Sequence, residues 1–359
     1  MKLLFAADMV PTELSEQYYV EGDVARLFGD IPDLVKGVDR FFVNVEFALT
    51  EKRDGIKKIG PVLRADPFCA DTIKKLGVTD VALANNHVYD CGEEGLRDTM
   101  HHLDRVGLPY FGVGENDTLS RKPYFFEENG KRVAVVNVCE HEYTYALPNR
   151  IGVNPFDPFL TMEDIRQAKK QADYVIVIYH GGKEHCGYPS PRLRTLCQEM
   201  VRCGANAVFC QHSHCIGCYE CYEGAHIVYG QGNFHFARQN RPRTWDEGLL
   251  VQLNIGETVE VEFYPYLMDG VTVHLAKGEA YDALMQPFFA RSEELKTDAW
   301  LAGWRAFCET QREYFTTRLR LLGNIDTDEM ATQFLAHYLA CEAHTDVMKE
   351  LFQTWHKTE

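Results

Sequence analysis

Five short apolar runs in this chain each end abruptly in side chains able to bind metals or carry protons. Asp8 follows the run Lys2 to Ala7, Glu46 follows Arg40 to Val45, and Asn85, Asn86 and His87 follow Asp80 to Ala84. His180 follows Tyr174 to Tyr179, and His212 and His214 follow Ala207 to Cys210. Runs this short, rich in β-branched and aromatic residues, predict strands, and further strands are expected at Arg132 to Val138, His226 to Tyr229, Leu249 to Asn254 and Thr258 to Tyr264. The stretches Pro67 to Leu76, Glu93 to Val106, Met162 to Gln171 and Pro191 to Cys203 carry helical spacing between them, so the expected class is α/β. Open α/β sheets bind ligands just outside the carboxyl ends of their strands, and the polar clusters fall there.

The 359 residues are 45% hydrophobic, enough for one large core or two smaller ones. A net charge of −16 disfavours nucleic acid, whose phosphates are bound by clustered Lys and Arg. An anionic substrate would then need a local source of positive potential, and bound metal ions are the most compact one. Only Met1 to Ala7 precede the first acidic residue, too little for a signal segment or a membrane span, so the expected location is the cytoplasm, without a membrane partner. The twelve cysteines are accordingly read as reduced thiols.

From about Tyr281 the chain turns to long amphipathic segments carrying Trp300, Trp304, Phe307, Tyr314 and Phe315, then Met330 to Trp355. The expected division is a domain over 1–280 and a helical C-terminal extension over 281–359. Those helices would pack on the core or on a second copy of the chain, giving a surface for a homo-oligomer.

A binuclear hydrolase needs carboxylates, imidazoles and often a side-chain amide converging on two cations. Asp8 and Glu46 supply carboxylates, Asn86 an amide oxygen, and His180, His212 and His214 imidazoles. The blocks Asp8-Met9-Val10, Asn44-Val45-Glu46, Ala84-Asn85-Asn86-His87 with Asp90, His180-Gly181-Gly182-Lys183-Glu184, Gln211-His212-Ser213-His214 and Gly230-Gln231-Gly232-Asn233-Phe234 follow one another in a recognisable order. In that order and spacing, over about residues 1–255, the chain resembles the CapA-type branch of the calcineurin-like metallophosphatases, named for a poly-γ-glutamate capsule synthesis protein.

The resemblance implies a four-layer β-sandwich flanked by helices, holding one or two divalent ions of Mn, Fe or Zn. It implies that Glu46 bridges the metals, that Asp8 and His214 serve one, and that Asn86, His180 and His212 serve the other. His87 would donate a proton to the leaving group, with Asp90 orienting it. Glu184, Asn233 and Arg238 are the expected substrate contacts. The wider superfamily places a His where this chain has Val10, so one metal site lacks a ligand that Glu184 or water would have to replace. The implied activity is hydrolysis of a phosphate ester on a small anionic substrate, by water activated at the metals. The alternative is a non-catalytic or amide-cleaving component of poly-γ-glutamate (capsule) metabolism.

Plainer readings stand beside these. Asp90 could be a helix N-cap, and Asn85 could simply hold its turn. Cys215, Cys218 and Cys221 share the start of an iron–sulfur spacing but lack the fourth Cys with its Pro, so ordinary thiols are expected. Arg238, Arg241 and Arg243 would either clamp an anion at the site mouth or form a solvated loop.

Overall fold

The computed structural model describes residues 1–325 and 328–353. Two sheets face each other. The first runs in the order Thr272–Leu275, Val259–Asp269, Glu247–Ile255, Lys2–Met9, Arg40–Val45, Asp80–Ala82, Tyr110–Phe111, with Asn233–His235 pairing beside Lys2–Met9. The second runs Tyr219–Tyr222, Ala225–Val228, Ala207–Gln211, Tyr174–His180, Lys131–Cys139, Tyr124–Glu128. Lys2–Met9, Arg40–Val45, Asp80–Ala82 and Tyr110–Phe111 are mutually parallel. So are Lys131–Cys139, Tyr174–His180, Ala207–Gln211 and Ala225–Val228.

Side-chain alternation along the strands produces the layers. Leu3, Phe5 and Phe42 point inward and meet Val133, Val135, Ile176, Ile178 and Phe209 of the opposing sheet. Their neighbours Leu4, Ala6, Phe41 and Val43 point outward, against Tyr19, Leu27, Phe28, Ile73 and Leu96 of one helical layer. Ala134, Val136, Val175 and Val177 cover the other outer face, against Met162, Ile165, Leu193 and Met200. Strands covered on both faces are uniformly apolar, which is why they read as continuous hydrophobic runs. The expected α/β sandwich flanked by helices is the observed architecture.

Element boundaries follow the apolar pattern closely. Helices occupy Cys69–Leu76, Gly92–Arg105, Pro158–Lys169 and Pro191–Arg202, the last two opening on Pro behind Asp157 and Ser190, whose side chains accept from backbone N–H groups of the first turn. Three short helices, Glu16–Glu21, Val24–Phe28 and Ile31–Val35, were not expected, because none is long enough to show a 3.6-residue period. Edge strands Tyr124–Glu128, Tyr219–Tyr222 and Thr272–Leu275 also escaped, being only partly buried and correspondingly polar.

The C-terminal region is helical as expected: Glu279–Glu294, Trp300–Thr310, Arg312–Leu321, Glu329–Ala340 and Glu342–Phe352. Trp300, Trp304, Phe315, Phe334, Tyr338, Val347 and Leu351 merge into the same apolar cluster as the helices over the second sheet. Trp355, expected at the end of the last helix, lies outside the described residues. Among the described residues no helix is long and apolar enough to cross a membrane.

Gly248 is a packing requirement. A Cβ there would lie 2.1 Å from the Tyr266 hydroxyl oxygen, and that hydroxyl donates to the Asn233 carbonyl at 2.7 Å. Gly248→Ala must displace the ring, so it should lower stability by about 1–3 kcal/mol, the usual range for overpacking. A reduced urea midpoint at unchanged slope checks this, and an unchanged midpoint would show that the ring can yield.

Candidate metal centre

All the parallel strands that carry polar clusters deliver them at carboxyl ends, and the two sheets deliver them to one place. Lys2–Met9, Arg40–Val45 and Asp80–Ala82 of the first sheet bring Asp8, Glu46 and the Asn85-Asn86-His87 turn. Tyr174–His180 and Ala207–Gln211 of the second bring His180, His212 and His214. Glu46, His180 and His212 each present a ligand atom within 4.8 Å of the others, and so do Asp8, Glu46 and His214. Glu46 belongs to both sets.

The carboxylates sit below the surface, 0% exposed. Asp8 Oδ1 accepts from Asn44 Nδ2 at 2.7 Å and Oδ2 accepts from the His212 backbone N–H at 3.1 Å. His180 Nε2 lies 2.9 Å from Asn86 Oδ1 and 3.3 Å from Glu46 Oε1, which puts the amide beside the shared carboxylate. Asn85 holds the turn: its Oδ1 accepts from the backbone of His87 and Val88, and its Nδ2 donates to the Val45 carbonyl at 2.8 Å and to Asn44. His212 and His214 adopt φ of 79° and 51°, left-handed values that cost a non-glycine residue energy. Such strain persists where the surroundings impose it, commonly at functional loops. On the neighbouring strand end, Gly181 leaves room for Glu140, since a Cβ there would lie 2.5 Å from Glu140 Cγ; Glu140 in turn accepts from the Gly182 N–H at 2.9 Å.

This group of side chains fits a cation on three observations. Among the described residues, both Glu46 oxygens and His212 Nδ1 are buried without a hydrogen bond, a rare state for such groups. Burial and the neighbouring Glu46 raise the Asp8 carboxyl to about 7 against the pull of His180, and burial with Glu184 and Asp90 nearby pushes Glu46 well above the usual range. Burial holds His180, His212 and His214 below their ordinary value, so their rings are neutral and offer lone pairs. Neutral imidazoles with carboxylates form the donor set of zinc, iron or manganese.

Asn86, His212 and His214 line a cavity of ≈ 240 Å³, along with His87, Lys58, Glu142, Glu184, Arg238 and Arg241. His87 Nδ1 lies 2.7 Å from Asp90 Oδ2 and 3.1 Å from Lys58 Nζ, and Lys58 donates to Asp90 Oδ1 at 2.5 Å. Burial first, then Lys58, brings the His87 imidazole down to about 4 despite Asp90. The N-cap alternative for Asp90 is overturned. Cys91 holds the N-cap position of Gly92–Arg105, and Asp90 is committed to His87, Lys58 and the Leu63 N–H.

One expectation needs correction. Asn233, expected at the substrate, is buried with Oδ1 2.8 Å from His214 Nδ1 and Nδ2 bonded to the Trp245 carbonyl; it holds a ligand candidate and does not face the cavity. Of the loop arginines, Arg243 is 78% exposed and pairs with Glu247 at 3.1 Å, the solvated alternative, whereas Arg238 and Arg241 reach the cavity wall, as does Glu184. Cys215 and Cys218 are buried and Cys221 is exposed, and among the described residues no grouping able to hold a metal includes them.

Three participants escaped the sequence reading. Asn44 was visible within its motif yet had no role until its contact with Asp8 appeared. Glu142 follows the strand Lys131–Cys139 just as the other candidates follow theirs, and it accepts from Asn86 Nδ2 at 3.1 Å, so strand-end position was an available signal. Lys58 comes from a long loop with no periodic pattern and left no signal.

The sequence model of the family described as bacterial capsule synthesis protein PGA_cap matches residues 2–238. The capsule biosynthesis protein CapA of Bacillus anthracis is 33% identical over 194 residues, 52% of this chain and 47% of that protein. The PGA biosynthesis protein CapA of Bacillus subtilis (strain 168) is 33% identical over 191 residues, 52% of this chain and 50% of that protein. The matched stretch thus spans about half the length of either relative. Among solved structures, a hypothetical protein from Thermus thermophilus covers 75% of this chain and 100% of its own, with a TM-score of 0.48 and 16% identity. With the family's sequence pattern running through every strand end that builds the centre, this chain is a member of the PGA_cap capsule synthesis family.

Proposed function

We propose that this chain is a metal-dependent hydrolase of a phosphate ester, and the observation that carries the proposal is Glu46 shared between two sets of candidate ligands with both its oxygens unpaired. Asp8 and His214 would hold one divalent ion, Asn86, His180 and His212 the other, with Glu46 between them. Bound there, manganese, iron or zinc would supply Lewis acidity and an activated water. The protein's own groups do the rest. Arg238 and Arg241 on the cavity wall offer forked donors to an anionic substrate. His87 is the proton donor to the leaving oxygen, fixed by Asp90 at Nδ1 so that Nε2 is the atom left to serve substrate. A dianionic substrate next to the ring would oppose the burial and the Lys58 charge that keep His87 neutral, loading the proton where it is used.

A second reading has one observation in its favour, the capsule and PGA biosynthesis names of the relatives. In that reading the same centre acts on, or only binds, a γ-glutamyl amide or poly-γ-glutamate.

Three outcomes are expected. Elemental analysis of protein purified without chelator should find one to two divalent ions per chain, and Glu46→Gln should lose both; full retention by the variant contradicts a shared ligand. With Mn²⁺, Fe²⁺ or Zn²⁺ added, hydrolysis of 4-nitrophenyl phosphate or its bis-ester should fall about 10²–10⁴-fold in His87→Ala, the usual worth of a general acid. Activity surviving that change, or Asp8→Ala, refutes the assignment. Because Asp8 keeps its proton to about pH 7, a cation must displace it below that pH. Metal affinity measured by calorimetry should therefore rise from pH 6 to pH 8, with a heat that depends on the buffer's ionisation enthalpy.

A further inference from the structure

The cavity over the metal centre is closed in part by the C-terminal helices, which lie beyond the residues that the family pattern covers. Tyr314 of Arg312–Leu321, His337 of Glu329–Ala340, and His344 of Glu342–Phe352 all line it. Facing them is Lys183, from the loop that follows His180. Its side chain is only 9% exposed, yet among the described residues its Nζ makes no hydrogen bond, and its one ion-pair neighbour is Glu184 Oε2 at 3.9 Å. Lys58, also deep in the cavity with a side chain 2% exposed, is by contrast fully engaged with Asp90, His87 and the Asn86 carbonyl.

An ammonium without a hydrogen-bond acceptor, at the end of a side chain largely withdrawn from solvent, keeps its N–H donors free for a ligand in the cavity. The wall opposite cannot supply an anion: His337 and His344 face each other, Nε2 to Nε2, at 2.9 Å. Burial and Lys183 keep both rings below their ordinary value, so the pair is neutral and shares a single proton between its Nε2 atoms. Tyr143 stacks on His337 with ring planes 6° apart, which fixes that ring further. What remains is a cation with no hydrogen bond among the described residues, its counter-charge Glu184 held 3.9 Å away, facing a wall of neutral rings inside a cavity of ≈ 240 Å³ that suits a compact molecule or a chain end.

We propose that Lys183, with the roof formed by His337 and His344, is a subsite for a second acidic group of the substrate, a carboxylate or phosphate separate from the group that reacts at the metals. The subsite rests on the phosphate-ester reading above and narrows it to substrates with two acidic ends. The C-terminal helices thereby act as a specificity element: they shield Lys183 from solvent and set the distance between the two ends.

Calorimetric titration of the metal-loaded full chain with three phosphonates tests this. Phenylphosphonate has one acidic group, 4-carboxyphenylphosphonate adds a carboxylate, and 1,4-phenylenediphosphonate adds a second phosphonate. At least one of the two-ended probes should bind about tenfold or more tighter than phenylphosphonate, the worth of one charge-assisted hydrogen bond. Which probe gains identifies the second group. Lys183→Met should abolish that gain while leaving phenylphosphonate binding and metal content unchanged, and Lys183→Arg should restore much of it. Equal binding of all three probes by the unaltered protein overturns the subsite alone, as does a Lys183→Met variant that keeps the gain or weakens all three alike. Failure of every probe, phenylphosphonate included, overturns the phosphate-ester reading and the subsite with it.

Discussion

Two carboxylates, Asp8 and Glu46, are buried at adjacent strand ends, and among the described residues nothing balances their charge fully. Burial of a carboxylate in a low-dielectric interior is expensive unless it is paired, hydrogen-bonded or protonated. Asp8 is partly compensated by Asn44 and the His212 N–H, whereas Glu46 has no hydrogen bond among the described residues. The rest of the centre is arranged around that imbalance. The imidazoles are neutral, the turns are strained into left-handed backbone at His212 and His214, and a cation held by these residues would reconcile them.

The sandwich explains how such a cluster can be built. Parallel strands all end on the same edge, so each sheet gathers its polar residues without any long excursion of the chain. Facing two sheets brings Asp8 and Glu46 from one against His180 and His212 from the other. The hydrophobic layer between them, from Phe5 and Phe42 to Ile176 and Phe209, fixes the separation of the two edges. The layers that stabilise the fold and the geometry that would hold a metal pair are therefore one construction, and a packing fault such as a Cβ at Gly248 reaches the centre through Tyr266, Asn233 and His214.

Outside the shared family region, the C-terminal helices contribute in two ways. Their aromatic residues extend the apolar cover of the second sheet, and their histidines form part of the cavity wall. Their docking is also polar: the His141 ring and backbone N–H both contact Glu342, and Arg192 bridges Glu140 to Asp346. Glu140 also supports the loop after His180, so the helices are tied to the backbone that carries a ligand candidate.

Much of this was legible in the chain itself. Strand positions followed from uniformly apolar runs, because strands buried on both faces leave a signal that needs no partner to interpret. The candidate ligands followed from what stands at the ends of those runs. Convergence was implied by the family resemblance and by no local stretch, while the roles of Lys58 and Asn233 were not legible, one arriving on an irregular loop and the other turned inward to His214. The sequence by itself determined which side chains sit at strand ends, since local patterning and chain chemistry decide that. Only the tertiary structure decided which of them share a centre and that helices more than a hundred residues away in the chain roof it, because those facts depend on how two sheets and a distant helical segment pack, an energy that no local stretch contains.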